Sequence, residues 1–322
     1  MSDRRPILVT GACGFVGASL CATLVRSGEE VIALDDLSTG SPANWAEDVR
    51  DDIELVHCDI RDTELVAALI ADRQPKTVYH LAAIHFIPAC DADPSRAISI
   101  NVAGTQSVLC AAMHASEVPA LVLASTGAVY APSLTPHAED SELAPTDIYG
   151  LTKLWMEQAA ELHRKRTGAR IAVARLFNVV GAGETNPHLV PEIIEQARRS
   201  QTLRLGNLTT RRDYIDVADV ADGLIALADV VIPDEIVTCN LGAESPVDGY
   251  ELVRLLGEVL ELTLEIETDE SKLRVSDRPL LESNCNRAHR VLGWSAQRPL
   301  ISALRAAVED ARRHEPAASA QL

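Results

Sequence analysis

A hydroxyl, a phenol and an ammonium in this chain can meet over one small volume. The hydroxyl is Thr126, which with Ser125 ends the apolar run 120–124. The phenol and the ammonium are Tyr149 and Lys153, four residues apart, so they share one face wherever that segment is helical. An ammonium beside a phenol favours the phenolate and lowers a pKa that is ordinarily about 10. A tyrosine so placed takes a proton from an alcohol near neutral pH. Taken alone, a Tyr and a Lys at this spacing most often carry no chemistry, so the weight falls on the elements around them.

The run 120–124 is short and wholly apolar, which predicts a buried parallel strand with Ser125 and Thr126 at its carboxyl edge. Pro145-Thr146-Asp147 supplies a breaker and a capping side chain, and predicts a helix carrying Tyr149, Lys153, Trp155 and Met156. Upstream, strand 7–10 meets Gly11, Gly14 and Gly17, and a helix follows over 18–26. In that context Gly11 permits a tight turn, Gly14 lets backbone approach a pyrophosphate, and Gly17 lets helix and strand pack closely. The helix N-terminus offers N–H groups to phosphates. A second strand, 30–35, ends in Asp35, whose carboxylate suits ribose hydroxyls and repels a 2′-phosphate. No Arg or Lys occurs in 27–49 to receive such a phosphate, which favours NAD over NADP.

Further strands are predicted at 53–58, 77–83 and 170–177, with helices at 63–73 and 95–116. Leu81, Ala82 and Ala83 leave room for a flat ligand at a strand end. Asn101, in the helix 95–116, reads equally as an interhelical amide or a ligand contact. This alternation predicts an α/β fold, a doubly wound parallel (Rossmann) sheet. Past residue 178 the pattern loosens, with helices near 250–260, 286–292 and 300–313. We expect a dinucleotide-binding domain at 1–175 and a smaller C-terminal α/β substrate lobe at 176–314, some of whose segments return to the first domain. A disordered tail is expected at 315–322.

The chain has 322 residues, 47% hydrophobic and 24% charged, as in an ordinary globular protein. Its formal net charge of −18 argues against nucleic acid or an anionic membrane as partner. No apolar run is long enough to span a bilayer, and residues 1–6 are expected to lead into a strand without a signal peptide. Seven dispersed cysteines suggest reduced thiols and a cytoplasmic location. The nine histidines show no ligand-spaced cluster in sequence, so no metal is expected.

The motifs appear in one order: Gly-x-x-Gly-x-x-Gly, Asp35, Asp59-Ile60, His80-Leu81-Ala82-Ala83, Ser125-Thr126, Tyr149-x-x-x-Lys153 and Arg212-Asp213-Tyr214. Together they resemble the extended short-chain dehydrogenase/reductase family, within it the nucleotide-sugar modifying enzymes, over about 7–308. The resemblance implies that Gly11, Gly14, Phe15, Val16 and Gly17 hold the pyrophosphate of NAD. It implies Asp35 at the adenosine ribose, Asp59 and Ile60 beside adenine, and Leu81, Ala82, Ala83 and Asn101 along the dinucleotide. Tyr149 becomes the acid/base, Lys153 its pKa-lowering partner at the nicotinamide ribose, and Thr126 the ligand of the reacting hydroxyl. The nucleoside-diphosphate sugar (UDP or GDP) falls to Asn178, His188, Leu189, Arg204, Arg212 and Arg274. Of these, Arg212 and Arg274 suit the diphosphate, because guanidinium forks match phosphate oxygens. A homodimer is expected by resemblance, through helices 95–116 and 149–165.

Within the family the residues after Thr126 bear on the reaction. Dehydratases carry an extra acid there, whereas Gly127 and Ala128 cannot ionise. A 4-epimerase needs Tyr, Lys, Thr and tightly held NAD, with a transient 4-keto sugar and nothing else ionising beside the phenol. The stretch Asp35-Asp36-Leu37-Ser38-Thr39-Gly40 is similar to that of UDP-hexose 4-epimerases. Gly206-Asn207-Leu208 and 274–279 are more like enzymes of GDP-mannose derivatives, which keeps a 4-keto-6-deoxysugar reductase or a 4,6-dehydratase as alternatives. Leu281 stands where many 4-epimerases have a tyrosine near the sugar, and His85 is left without a role. A non-catalytic NAD-binding sensor or scaffold is the reading from another class, opposed by the intact Tyr149 and Lys153.

Overall fold

The structure, a computed structural model, describes residues 5–184, 186–272 and 278–313. In the first half, apolar runs become strands and the periodic stretches between them become helices. In order these are β1 (Ile7–Thr10), α1 (Phe15–Arg26), β2 (Val31–Asp35), β3 (Ile53–His57), α2 (Thr63–Arg73) and β4 (Thr77–His80). Then come α3 (Ile87–Ala92), α4 (Pro94–Ile98), α5 (Thr105–Ala112), β5 (Ala120–Thr126), α6 (Ile148–Thr167) and β6 (Ile171–Leu176).

The second half contributes β7 (Asn178–Val180), α7 (Leu189–Ala197), β8 (Thr202–Leu205), β9 (Arg211–Asp216) and α8 (Val217–Asp229). It continues with β10 (Val237–Leu241), β11 (Pro246–Asp248), α9 (Gly249–Leu260), β12 (Glu265–Thr268), β13 (Leu280–Leu281), α10 (Asn286–Leu292) and α11 (Leu300–Arg313).

Seven strands form one parallel sheet in the order β10-β6-β5-β4-β1-β2-β3. Successive residues of β1 face opposite layers and both are buried: Val9 packs with Leu20, Leu24 and Leu224, Leu8 with Ile32, Ile70 and Met156. That is why these strands read as unbroken apolar runs rather than alternating ones. Helices α1 and α8 pack on one face, and α2, α5 and α6 on the other. Strand order reverses direction between β1 and β4, and a crevice opens there at the carboxyl ends.

β10 was not foreseen from sequence. Its residues, Val-Thr-Cys-Asn-Leu, mix polar with apolar, and only pairing with β6 makes them a sheet edge. The helix expected at 95–116 is also interrupted, by a π-helical turn over Ser99–Gly104 that carries Asn101. The remaining strands form two small sheets, β11-β9-β13 with β7 on β9, and β8 with β12. Around them α7, α9 and α11 close a separate core containing Val190, Leu205, Leu252 and Leu304.

Candidate active site

A cavity of about 1500 Å³ runs from the glycine loop to the second-half strands. At its first end, Gly11 has φ +69°, and a Cβ there would lie 2.7 Å from the Ala82 nitrogen. The turn therefore needs glycine, because the backbone of the neighbouring strand end passes too close for any side chain. Helix α1 starts at Gly14 with no side-chain cap and no acidic residue in its first turn. Its free N–H groups and positive dipole end lie beside the cavity, which fits a pyrophosphate. Asp35 closes β2, almost buried, and accepts N–H bonds from Cys13 (2.9 Å) and Leu37 (2.8 Å). Burial raises its pKa while those two bonds pull it down.

Phe15, Val16, Gly17, Ile60, Leu81, Ala82 and Ala83 line the same cavity. Asp59 does too, paired to Arg61 (Nε to Oδ1 3.0 Å), which holds its carboxyl below the usual range. Asn101 lies elsewhere. Its buried side chain accepts from Ile84 N–H (2.8 Å) and donates to the Ile84 carbonyl (2.9 Å) and Thr152 Oγ1 (3.0 Å). It braces the loop after β4 against α6 and is not among the lining residues.

Thr126 closes β5 and accepts from the Ala128 N–H at 3.1 Å. Helix α6 starts at Asp147, which caps the Gly150 N–H at 2.7 Å, and so carries Tyr149 to Thr126, with which its phenol is hydrogen-bonded. A turn further on, Lys153 is buried and donates to the Ala124 carbonyl at 2.8 Å. Ser125 faces the other way, donating to Glu157 at 2.5 Å, which in turn pairs with Arg175 at 2.7 Å. Hydroxyl, phenol and ammonium therefore converge as the spacing requires.

The expected electrostatics do not follow. Burial pushes the Tyr149 phenol above its ordinary pKa, opposed by the bond to Thr126 and not by Lys153. Burial also lowers the Lys153 ammonium to about 8. Both groups lose hydration, and desolvation is the largest cause of each shift.

At the far end Asn178, His188, Leu189 and Arg212 line the cavity. Arg204 does not: it lies on the outer face of β8, exposed, paired to Glu267 at 3.3 Å. Period-2 alternation turns Leu203 and Leu205 inward and Arg204 out. Arg274 falls outside the described residues.

Sequence reasoning missed Arg278, which lines the cavity and donates to the carbonyls of Tyr130 (2.7 Å) and Ala128 (2.7 Å) and to Thr146 (3.2 Å). It also missed Glu184. That carboxylate lies in the same cavity, with His188 Nδ1 3.2 Å from its Oε2 and with His85 nearby. The cavity therefore holds a further ionisable cluster, and no spacing along the chain joined all three residues. His85 follows β4 and the other two lie in the segment leading to α7, so only the fold joins them.

Fold and cavity together define a Rossmann-type dinucleotide-binding enzyme. The model of the NAD dependent epimerase/dehydratase family matches residues 7–239, and the chain belongs to that family. It is 32% identical to the UDP-glucose 4-epimerase of Rhizobium meliloti, over 93% of this chain and 95% of that one. It is 31% identical to the UDP-glucose 4-epimerase of Bacillus subtilis, over 91% and 93%. Among solved structures, UDP-glucose 4-epimerase with UDP-glucose from Thermotoga maritima superposes with TM-score 0.86 at 25% identity, covering 96% of this chain and 99% of that one. The Stenotrophomonas enzyme with bound NAD and formylated UDP-arabinopyranose gives 0.88 at 27%, over 96% and 98%. Among the described residues no helix is long and apolar enough to cross a membrane.

Proposed function

We propose that this protein is an NAD-dependent epimerase of a UDP-hexose, inverting C4 through a transient 4-keto sugar. The observation that carries the reading is the meeting of Thr126, Tyr149 and Lys153 in the cavity that also contains the glycine loop. NAD, when bound, supplies the acceptor and later the donor of the C4 hydride. Gly11, Gly14, Phe15, Val16 and Gly17 hold its pyrophosphate, Asp35 its adenosine ribose, Asp59 and Ile60 the adenine edge, and Leu81, Ala82 and Ala83 its length. Thr126 orients the C4 hydroxyl, and Tyr149 takes its proton as the hydride leaves C4. With C4 trigonal, the 4-keto sugar would turn over to present its other face, and Tyr149 would return the proton to the C4 oxygen as C4 is reduced again. Lys153 stabilises the phenolate during the interval. Asn178, His188, Leu189 and Arg212 hold the sugar nucleotide.

The same reading divides the chain into an NAD-holding part, 1–175, and a mainly sugar-nucleotide-holding part, 176–314. It gives a homodimer through α4, α5 and α6. Leu109 and Ala160 are buried in the sheet layer, while Ile98, Trp155 and Leu162 stay exposed and supply an apolar face for the partner copy. It is cytoplasmic, consistent with the substrate class and with seven cysteines free of disulfide bonds.

The test is incubation of purified protein with UDP-glucose and UDP-galactose without added cofactor, followed by separation of the C4 epimers. Interconversion is expected. The Tyr149→Phe variant is expected to lose about 10²–10⁴-fold in turnover while keeping NAD bound. Consumption of NADH by a 4-keto sugar without epimerisation would overturn the proposal in favour of a reductase.

A further inference from the structure

His85, Glu184 and His188 take no part in the proton and hydride transfers at C4. We propose that these three side chains form a divalent metal site of the His2Glu type, selective for zinc-class ions. One ligand atom from each lies within 4.8 Å of the others. Nδ1 of His188 and Oε2 of Glu184 are 3.2 Å apart. Two donors bound at about 2.0–2.1 Å to a tetrahedral ion lie roughly 3.3 Å apart, so this pair needs no rearrangement to bite.

The surroundings supply the outer hydrogen bonds that orient metal ligands. Glu184 Oε1 accepts the Asn186 backbone N–H at 2.9 Å, which leaves Oε2 for the ion. The Asn186 amide lies 3.1 Å from His85 Nε2; with its oxygen turned to that nitrogen it accepts the ring N–H, which leaves Nδ1 for the ion. Phe86 packs against the His188 ring, with centroids 5.4 Å apart, and limits its rotation. His188 is also the N-cap residue of α7, so the helix start sets its backbone. Two imidazoles and one carboxylate suit zinc better than magnesium or calcium, which prefer all-oxygen sets. Three protein donors leave a fourth position open to the cavity, where a water fits. The site shares His188 with the sugar-nucleotide assignment above, but the metal-binding readout does not require the C4 reaction.

The experiment is titration of chelator-treated full-length protein with Zn²⁺ and, for its spectrum, Co²⁺. One ion per chain is expected, with the visible d–d bands of a nitrogen and oxygen ligand set. His188→Ala and Glu184→Gln should each weaken binding at least tenfold, with unchanged circular dichroism in the metal-free forms. Should His188→Ala fail to fold, the near-isosteric Glu184→Gln decides. Absence of stoichiometric binding, equal binding by the variants, or a thiolate-to-metal charge-transfer band that places the ion on cysteine would each overturn the proposal. Because the readout is binding, failure of the epimerase assay would not sink it, and failure of metal binding would leave the epimerase reading standing.

Discussion

On the proposed mechanism, Lys153 sets a pH limit. Its ammonium is buried against the Ala124 carbonyl, and burial lowers its pKa to about 8. A lowered pKa means that the proton is held below that value and lost above it. Phenolate stabilisation needs the charge, so kcat/KM is expected to fall as pH rises through about 8. A rate profile that stays flat well above that pH would exclude the role. Lys153→Met, which removes the charge but keeps the length, should lower kcat by about 10²-fold or more with NAD still bound.

The start of α6 places the phenol. A Cβ on Gly150 would come within 2.5 Å of the Ala128 carbonyl oxygen, a backbone atom with little freedom to move. The close approach presses the helix onto the turn after Thr126, and Arg278 ties both together through Ala128, Tyr130 and Thr146. Gly150→Ala is therefore expected to displace Tyr149 from Thr126 and reduce kcat at least tenfold, with little change in NAD content; an unaltered kcat would show the turn to be adaptable. The π-helical turn before α5 has a comparable supporting part. It lets Asn101 reach both Ile84 and Thr152, and it fixes the loop that carries His85.

Acid stability belongs to the fold taken together, because two buried histidines lock layers against each other. His80 lies between Thr10 (2.8 Å) and Thr105 (2.9 Å), and burial lowers its pKa to about 3. His137 stacks on Tyr130 and is lowered to about 4. Each folded pKa lies below the unfolded value of about 6.5, so the unfolded chain binds protons first. The stability is whole above about pH 6.5 and is lost as pH falls toward the folded values. Each histidine contributes a slope of about 1.4 kcal/mol per pH unit in that window. Denaturant unfolding between pH 7 and 5 checks this, and His80→Asn should reduce the slope by about 1.4 kcal/mol per pH unit.

Much of the first half was written locally. Glycines at 11, 14 and 17 between a strand and a helix, Asp35 at the next strand end, and the Asp147 cap before Tyr149 and Lys153 are all short-range signals. Backbone preference and burial periodicity act over a few residues, and the sequence carries them openly. Four things were decided only by the fold: β10 on the edge of the sheet, Arg278 beneath the Thr126 turn, His85 meeting Glu184 and His188, and Arg204 turned outward. The direction of the Tyr149 pKa belongs with them, since it depends on how much water the surrounding walls exclude. Such outcomes arise where distant loops converge at the carboxyl ends of strands. Convergence of that kind leaves no period along the chain, because it is fixed by packing rather than by neighbours in sequence.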